Sequence, residues 1–288
     1  MDAAVSGGSG AVVDAYPQFQ YDAANTATGD TAGPDGEPSA AWAWPADPGE
    51  SPLVWEFAAA GSTVFATRIV GEDDRVARVV ALDAKSGEVR WQRDLPEGTG
   101  RHSQLAVAGG SVYLIAGRTF FSLDAATGET EWSVDHDSGT AAPVVAGDTL
   151  YTSDLGTVYA FATGDGSQLW SHTPEVSEGL MFAWTPAVRN GHVYVGAEHL
   201  QALSRSDASV RWSIEETFDA HFSTASVVDG VIYTSFVSTV DARSTDDGSQ
   251  LWSYTGDSNS SQGSSHPMVV DGYVYFRDGN RQLVALSA

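Results

Sequence analysis

A Gly, three residues and then a Trp recur at nearly constant phase along this chain, and that recurrence limits its architecture more than any other feature. The pattern runs Gly87 to Trp91, Gly128 to Trp132, Gly166 to Trp170, Ala208 to Trp212 and Gly248 to Trp252, with Trp spacings of 41, 38, 42 and 40 residues. Upstream of each lies a second anchor, a Gly leading an alternating apolar strand, as in Gly110-Ser111-Val112-Tyr113 and Gly191-His192-Val193-Tyr194. Copies beginning at Gly61 and Gly272 bring the number of units to six. A third strand falls between the anchors, seen in Val80-Ala81-Leu82-Asp83 and Phe121-Ser122-Leu123-Asp124. Each unit therefore holds about four short strands parted by Gly, Asp and Ser turns, with no sustained apolar period of about 3.6 residues.

A four-stranded unit of this length cannot bury both of its faces and must stack on its neighbours, which is how a β-propeller is built. The expected fold is all-β, a propeller of four-stranded blades, six in number, with residues 41–288 as one domain. The last unit passes through Leu283-Val284-Ala285-Leu286 and reaches Ala288 without its Trp-bearing strand. At the other end, Ala41-Trp42-Ala43-Trp44, or failing that Leu53-Val54-Trp55, is an orphan strand that would complete the last blade. Pairing of the two ends would leave no open sheet edge. A seventh or eighth blade would require strands within residues 1–40, whose Gly, Ala, Thr, Asp and Pro content reads as an extended, poorly ordered arm.

Charge narrows the possible partners. With 14 basic and 38 acidic side chains the net charge is −24, a field that repels phosphate backbones and anionic headgroups. Nucleic acid and membrane surfaces are disfavoured as partners on that ground, and no apolar run approaches the roughly 20 residues that span a bilayer. The acidity is spread along the whole chain, and Lys85 is the single lysine, a texture that resembles proteins of salt-loving archaea. Short carboxylates keep a surface hydrated where salt screens beyond a few ångströms. The absence of cysteine removes disulfides, thiolate nucleophiles and cysteine-ligated metals.

The strings Val79-Val80-Ala81-Leu82-Asp83-Ala84-Lys85-Ser86-Gly87-Glu88-Val89-Arg90-Trp91 and Ser122-Leu123-Asp124-Ala125-Ala126-Thr127-Gly128-Glu129-Thr130-Glu131-Trp132 resemble the repeat of the pyrroloquinoline-quinone (PQQ) propeller superfamily. The resemblance covers residues 42–288, and Tyr16-Pro17-Gln18-Phe19-Gln20-Tyr21 is similar to the entry segment of many haloarchaeal members. That superfamily holds both quinoprotein alcohol dehydrogenases and non-catalytic scaffolds, such as the propeller lipoprotein of the outer-membrane β-barrel assembly machinery. Membership alone does not decide between them. It implies that Trp91, Trp132, Trp170, Trp212 and Trp252 dock between blades. It also implies that Asp83, Asp124, Gly87, Gly128 and Gly166 build the turns between third and fourth strands. Export of such relatives points to the cell surface or beyond, with a signal not present in this chain; the cytoplasm is the alternative.

A quinoprotein site would need Ca²⁺, carboxylate and amide oxygens to hold it, a basic Asp and planar groups around the quinone. No residue matches those positions, so the expectation is a non-catalytic binding or scaffolding module without a cofactor, monomeric, meeting a protein partner or small ligand on a loop face. A PQQ- and Ca-dependent dehydrogenase and a carbohydrate-binding propeller are the alternatives. Candidate partner-binding residues on the loops before the inner strands are Arg101, Phe182, Trp184 and Phe222, and the histidines His102, His221 and His266 on the same loops are candidate metal ligands.

Overall fold

The structure is a computed structural model that describes residues 40–44, 54–70, 76–100, 104–135, 141–154, 156–174, 185–196, 199–215, 224–236, 239–256, 266–278, 280 and 282–287. Every regular element among them is a strand, and the strands form six antiparallel sheets, each made of consecutive strands in chain order. The first sheet is β1 (Val54–Ala60), β2 (Thr63–Val70), β3 (Val76–Asp83) and β4 (Val89–Asp94). The second is β5 (Ala106–Ala108), β6 (Ser111–Ala116), β7 (Thr119–Asp124) and β8 (Thr130–Asp135). The third is β9 (Val144–Ala146), β10 (Thr149–Asp154), β11 (Thr157–Ala162) and β12 (Gln168–His172). The fourth is β13 (Ala187–Arg189), β14 (His192–Gly196), β15 (His199–Ser204) and β16 (Val210–Glu215). The fifth is β17 (Ser226–Val228), β18 (Val231–Phe236), β19 (Thr239–Ser244) and β20 (Gln250–Thr255). The sixth has three strands, β21 (Met268–Val270), β22 (Tyr273–Arg277) and β23 (Leu283–Ser287).

The first strand of each sheet lies against the first strand of the next, from β1 through β5, β9, β13 and β17 to β21, so these short strands are the inner ones of a propeller. Tight turns join them to the second strands. At Asn190-Gly191, Asp229-Gly230 and Asp271-Gly272 both turn residues have positive φ, the type I′ geometry whose twist suits a hairpin.

Burial sits between the sheets. One cluster joins Phe65, Val79 and Ala81 of the first sheet to Leu105, Val112, Leu114 and Leu123 on the second-sheet side. Another joins Tyr113, Ile115 and Phe120 of the second to Leu150 and Phe161 of the third. Similar clusters tie third to fourth, fourth to fifth and fifth to sixth. At about 1.5 to 3 kcal/mol per large apolar side chain removed from water, these layers hold the sheets together where no single sheet has a core of its own.

The chain ends differ in detail from the expectation. Val54 and Trp55 open β1 and are not a closing strand. Residues 40–44 are described without strand structure and form no ladder with β23. Of the arm expected over residues 1–40, all but residue 40 lies outside the described residues.

Candidate functional site

Each junction between sheets is built from one register. In five sheets an aromatic residue of the second strand, a small residue of the third and the Trp of the fourth stand side by side. They are Phe65, Ala81 and Trp91; Tyr113, Ser122 and Trp132; Tyr151, Ala160 and Trp170; Tyr194, Ala202 and Trp212; and Tyr233, Ala242 and Trp252. The small residue lets the two rings meet across it, with centroids 5.8 Å apart for Tyr151 and Trp170 and 6.0 Å for Tyr233 and Trp252. The indole then reaches the following sheet. Trp91 donates to the Ala125 carbonyl at 3.0 Å, Trp132 to Thr163 at 2.8 Å, Trp170 to Arg205 at 2.9 Å and Trp212 to Thr245 at 3.1 Å. Trp170 is buried, while the other four are half-buried, so they line the rims of the layers and not their centres.

Beneath each docked indole lies the turn between third and fourth strands. A Cβ at Gly128 would stand 2.6 Å from Cε3 of Trp91, one at Gly166 2.6 Å from Cε3 of Trp132, and one at Gly87 2.7 Å from Cδ2 of Trp42. Gly therefore serves twice, by its left-handed φ and by its missing side chain. The Asp of the turn accepts amides: Asp83 from Lys85 and Ser86, both at 2.9 Å, and Asp124 from Thr127 at 2.7 Å and Ala126 at 3.0 Å. The last three complete sheets move the acid next to the glycine position, where Asp165, Asp207 and Asp247 accept from Ser167, Ser209 and Ser249.

These bonds favour the ionised acid. The Arg90 guanidinium foremost, then the Ser86 and Lys85 amides, hold Asp83 far below the usual carboxylate range, and the Thr127 hydroxyl and amide lower Asp124. A carboxylate depressed in the folded state adds stability above its unfolded pKa of about 3.9, and that stability is lost as pH falls through the folded value. Asp124→Ala is therefore expected to lower the melting temperature at pH 7. The gap to the parent protein should shrink as pH drops below about 4. A gap unchanged down to the lowest pH at which the parent stays folded would show that the turn acid has no such role.

Of the loop-face residues singled out in the sequence, Arg101, His102, Phe182, Trp184, His221 and Phe222 lie outside the described residues. His266 is half-buried just before β21, and burial lowers its pKa. It is followed by Pro267, whose carbonyl accepts from Ser226 Oγ of the fifth sheet. No group of three or more His, Asp or Glu placed to hold a metal occurs among the described residues. One carboxylate escaped the sequence reading. Glu56 on β1 is half-buried, and burial raises its pKa against a hydrogen bond with Gln104. It sits outside every repeat motif, so only the packing of β1 beside β5 could reveal it.

The junction of the fifth and sixth sheets departs from the rest. There a groove of about 380 Å³ is lined by Tyr233, Trp252, Tyr254, Val269, Val274 and Leu286. Trp252 lines that groove, whereas Trp91, Trp132 and Trp212 rest on the glycine turn of the following sheet.

An indole seated on the glycine or alanine turn of the following sheet at four junctions, repeated by Trp42 on the first sheet, marks a β-propeller of the PQQ-repeat class. Comparison with known proteins agrees. The chain matches the family described as outer membrane protein assembly factor BamB over residues 36–173 and again over 121–288, and it belongs to that family. BamB of Yersinia pestis is 28% identical over 261 residues, covering 79% of this chain and 62% of that protein. The chain thus spans less than two thirds of the length of this curated relative. Among solved structures, the computationally designed Ika8 protein has a TM-score of 0.68 at 15% identity, covering 82% of this chain and 71% of that one. Quinohemoprotein alcohol dehydrogenase from Comamonas testosteroni has a TM-score of 0.60 at 14% identity, covering 85% and 49%. At these identities the solved structures show the fold alone.

Proposed function

We propose that the protein is a non-catalytic binding or scaffolding propeller of a halophilic archaeon, placed at the cell surface, that presents the loops before its inner strands to a protein partner or small ligand. The observation that carries this reading is the use made of its lowered carboxylates. Asp83, Asp124, Asp165, Asp207 and Asp247 each commit one carboxylate oxygen, Oδ1, to turn amides and hydroxyls. An acid engaged in that way is a poor general base and a poor ligand for a hard cation. Kinship with an assembly factor supports the same reading. The net charge of −24, with Lys85 as the single lysine, supports a salt-adapted source.

Ca²⁺ beneath a quinone requires several oxygen donors, carboxylates among them. The described residues just before the inner strands include Leu105, Ala142, Thr185, Thr224 and Pro267, all buried and bringing methyl, ring and hydroxyl groups. They do not fit that group. One observation favours the quinoprotein dehydrogenase as a second reading, the raised pKa of Glu56 beside the second inner strand.

Calorimetric titration in molar KCl with PQQ and Ca²⁺, followed by dye-linked alcohol oxidation on the same sample, separates the two. No saturable heat and no turnover are expected. One-to-one binding with turnover that disappears in Glu56→Gln would replace the scaffold with the enzyme.

A further inference from the structure

We infer that a polar pocket between the second and third sheets is a receptor for a guanidinium cation supplied from outside the fold, whether by an arginine of a partner or by a small guanidino compound. The chain itself shows how such a group is held, because the next junction carries one of its own. Arg205, directly after β15, reaches back to the third sheet. There its Nε donates to the Tyr151 hydroxyl at 2.8 Å and its Nη2 to the carbonyl of Ala146 at the end of β9. A Cβ at Gly147 would stand 3.0 Å from that Nη2, so the glycine after β9 makes room for the fork.

One junction earlier the same frame recurs without the arginine. Tyr113 is the third residue of β6 as Tyr151 is of β10, Ala108 ends β5 as Ala146 ends β9, and Gly109 follows as Gly147 does. Thr163 holds the position of Arg205. Its carbonyl accepts from Trp132 and its amide donates to the Asp148 carbonyl, just as the carbonyl of Arg205 accepts from Trp170 and its amide donates to Gly191. The backbone is matched, and the shorter side chain leaves a pocket of about 300 Å³ whose lining includes Ala108, Gly109, Tyr113, Glu131, Asp148 and Thr163. A Cβ at Gly109 would meet nothing within 4 Å.

Two features of this pocket suit a cation. Tyr113 is only 4% exposed, and its hydroxyl has no hydrogen bond among the described residues, whereas those of Tyr151 and Tyr194 are bonded to Arg205 and Thr245. A buried hydroxyl without a partner carries a desolvation cost that a ligand N–H recovers. Glu131 and Asp148 also bring two carboxylates to the pocket, where the junction of Arg205 has Leu169 and Gly191. The buried Ser122 hydroxyl donates to Glu131 Oε2 at 2.6 Å and steadies that acid. A guanidinium presents its donors in a planar fork that can meet a hydroxyl, a carbonyl and a carboxylate together, which the point charge of an ammonium does less well. The turns framing the pocket lie at the far ends of β5 and β9 from the loops of the proposed function, so the two sites stand or fall separately.

Methylguanidinium chloride is the probe, added to the isotope-labelled full chain in molar KCl, which screens diffuse attraction to the net charge of −24. The amide signals of Gly109 and Gly164 are expected to shift saturably, with methylammonium binding about tenfold more weakly. Tyr113→Phe keeps the ring and is expected to weaken binding about tenfold. Thr163→Arg, which supplies the guanidinium from within as Arg205 does, is expected to abolish binding and raise the melting temperature. Agmatine and N-acetyl-arginine amide then separate the sources: tighter binding of the first supports a free guanidino compound, and of the second an arginine of a partner. No saturable shift, equal binding of methylammonium, or undiminished binding in Tyr113→Phe would each overturn the inference.

Discussion

Replacing Gly128 with Val is expected to remove a large part of the stability of the protein. The residue sits at φ 73°, and its new Cβ would lie 2.6 Å from Trp91. A left-handed backbone costs an L-residue about 1 to 2 kcal/mol, and a side chain forced into a filled junction costs about 1 to 3 kcal/mol more. The sum, about 2 to 5 kcal/mol, is a large part of the margin of a typical domain, about 5 to 15 kcal/mol. Urea unfolding followed by circular dichroism reads it as a lowered midpoint. Two controls separate the terms. Gly61 also has positive φ, at 57°, but nothing within 4 Å of its Cβ position, so Gly61→Ala should show the backbone cost alone, about 1 kcal/mol. Ala208 stands in the same place against Trp170 with φ 58°, so Ala208→Gly relieves strain and gives up only a methyl contact. A Gly128→Val midpoint within error of the parent would mean that the junction is looser than its geometry.

Trp132→Ala is the second large effect. The indole stacks on Phe120 at 5.6 Å, meets Tyr113 at 6.0 Å and donates to the Thr163 carbonyl across the junction. Truncating a large packed aromatic costs about 3 to 5 kcal/mol. Because adjacent blades hold one another by nearest-neighbour packing, the loss should be local first. Hydrogen exchange should show lost protection on β8 and on the turn around Gly166, with the fifth sheet little changed. Trp132→Phe keeps the ring and loses the hydrogen bond, so it should cost only about 1 kcal/mol. Equal damage from both variants would place the value of the residue in its hydrogen bond and not in its packing.

These two sites also show where sequence reasoning reached and where it stopped. Trp91 is legible as an interblade residue and Gly128 as a turn residue because each recurs at a fixed offset, while their contact with each other comes from the packing. Glu56 recurs nowhere, and what distinguishes it is burial beside β5, which no spacing records. Ala81 and Ser122 are legible in the sequence only as strand positions. Their task of letting two rings meet emerges only when second and fourth strands flank them.

Period and turn chemistry alone settle the all-β class, the six units and the strand to which each Trp belongs, because alternation, φ > 0 turns and the need to stack are local consequences of residue type. Which carbonyl each indole meets, why Ala208 can replace glycine, and how Trp42 takes its place on the first sheet were decided by the packing of one sheet on the next. Those contacts join residues some 30 to 40 positions apart, where the separation in sequence carries no information about distance or direction. The sixth sheet makes the point most plainly: its strands read like the others, yet its count of three strands among the described residues and the groove at Trp252 emerge only from the packed structure.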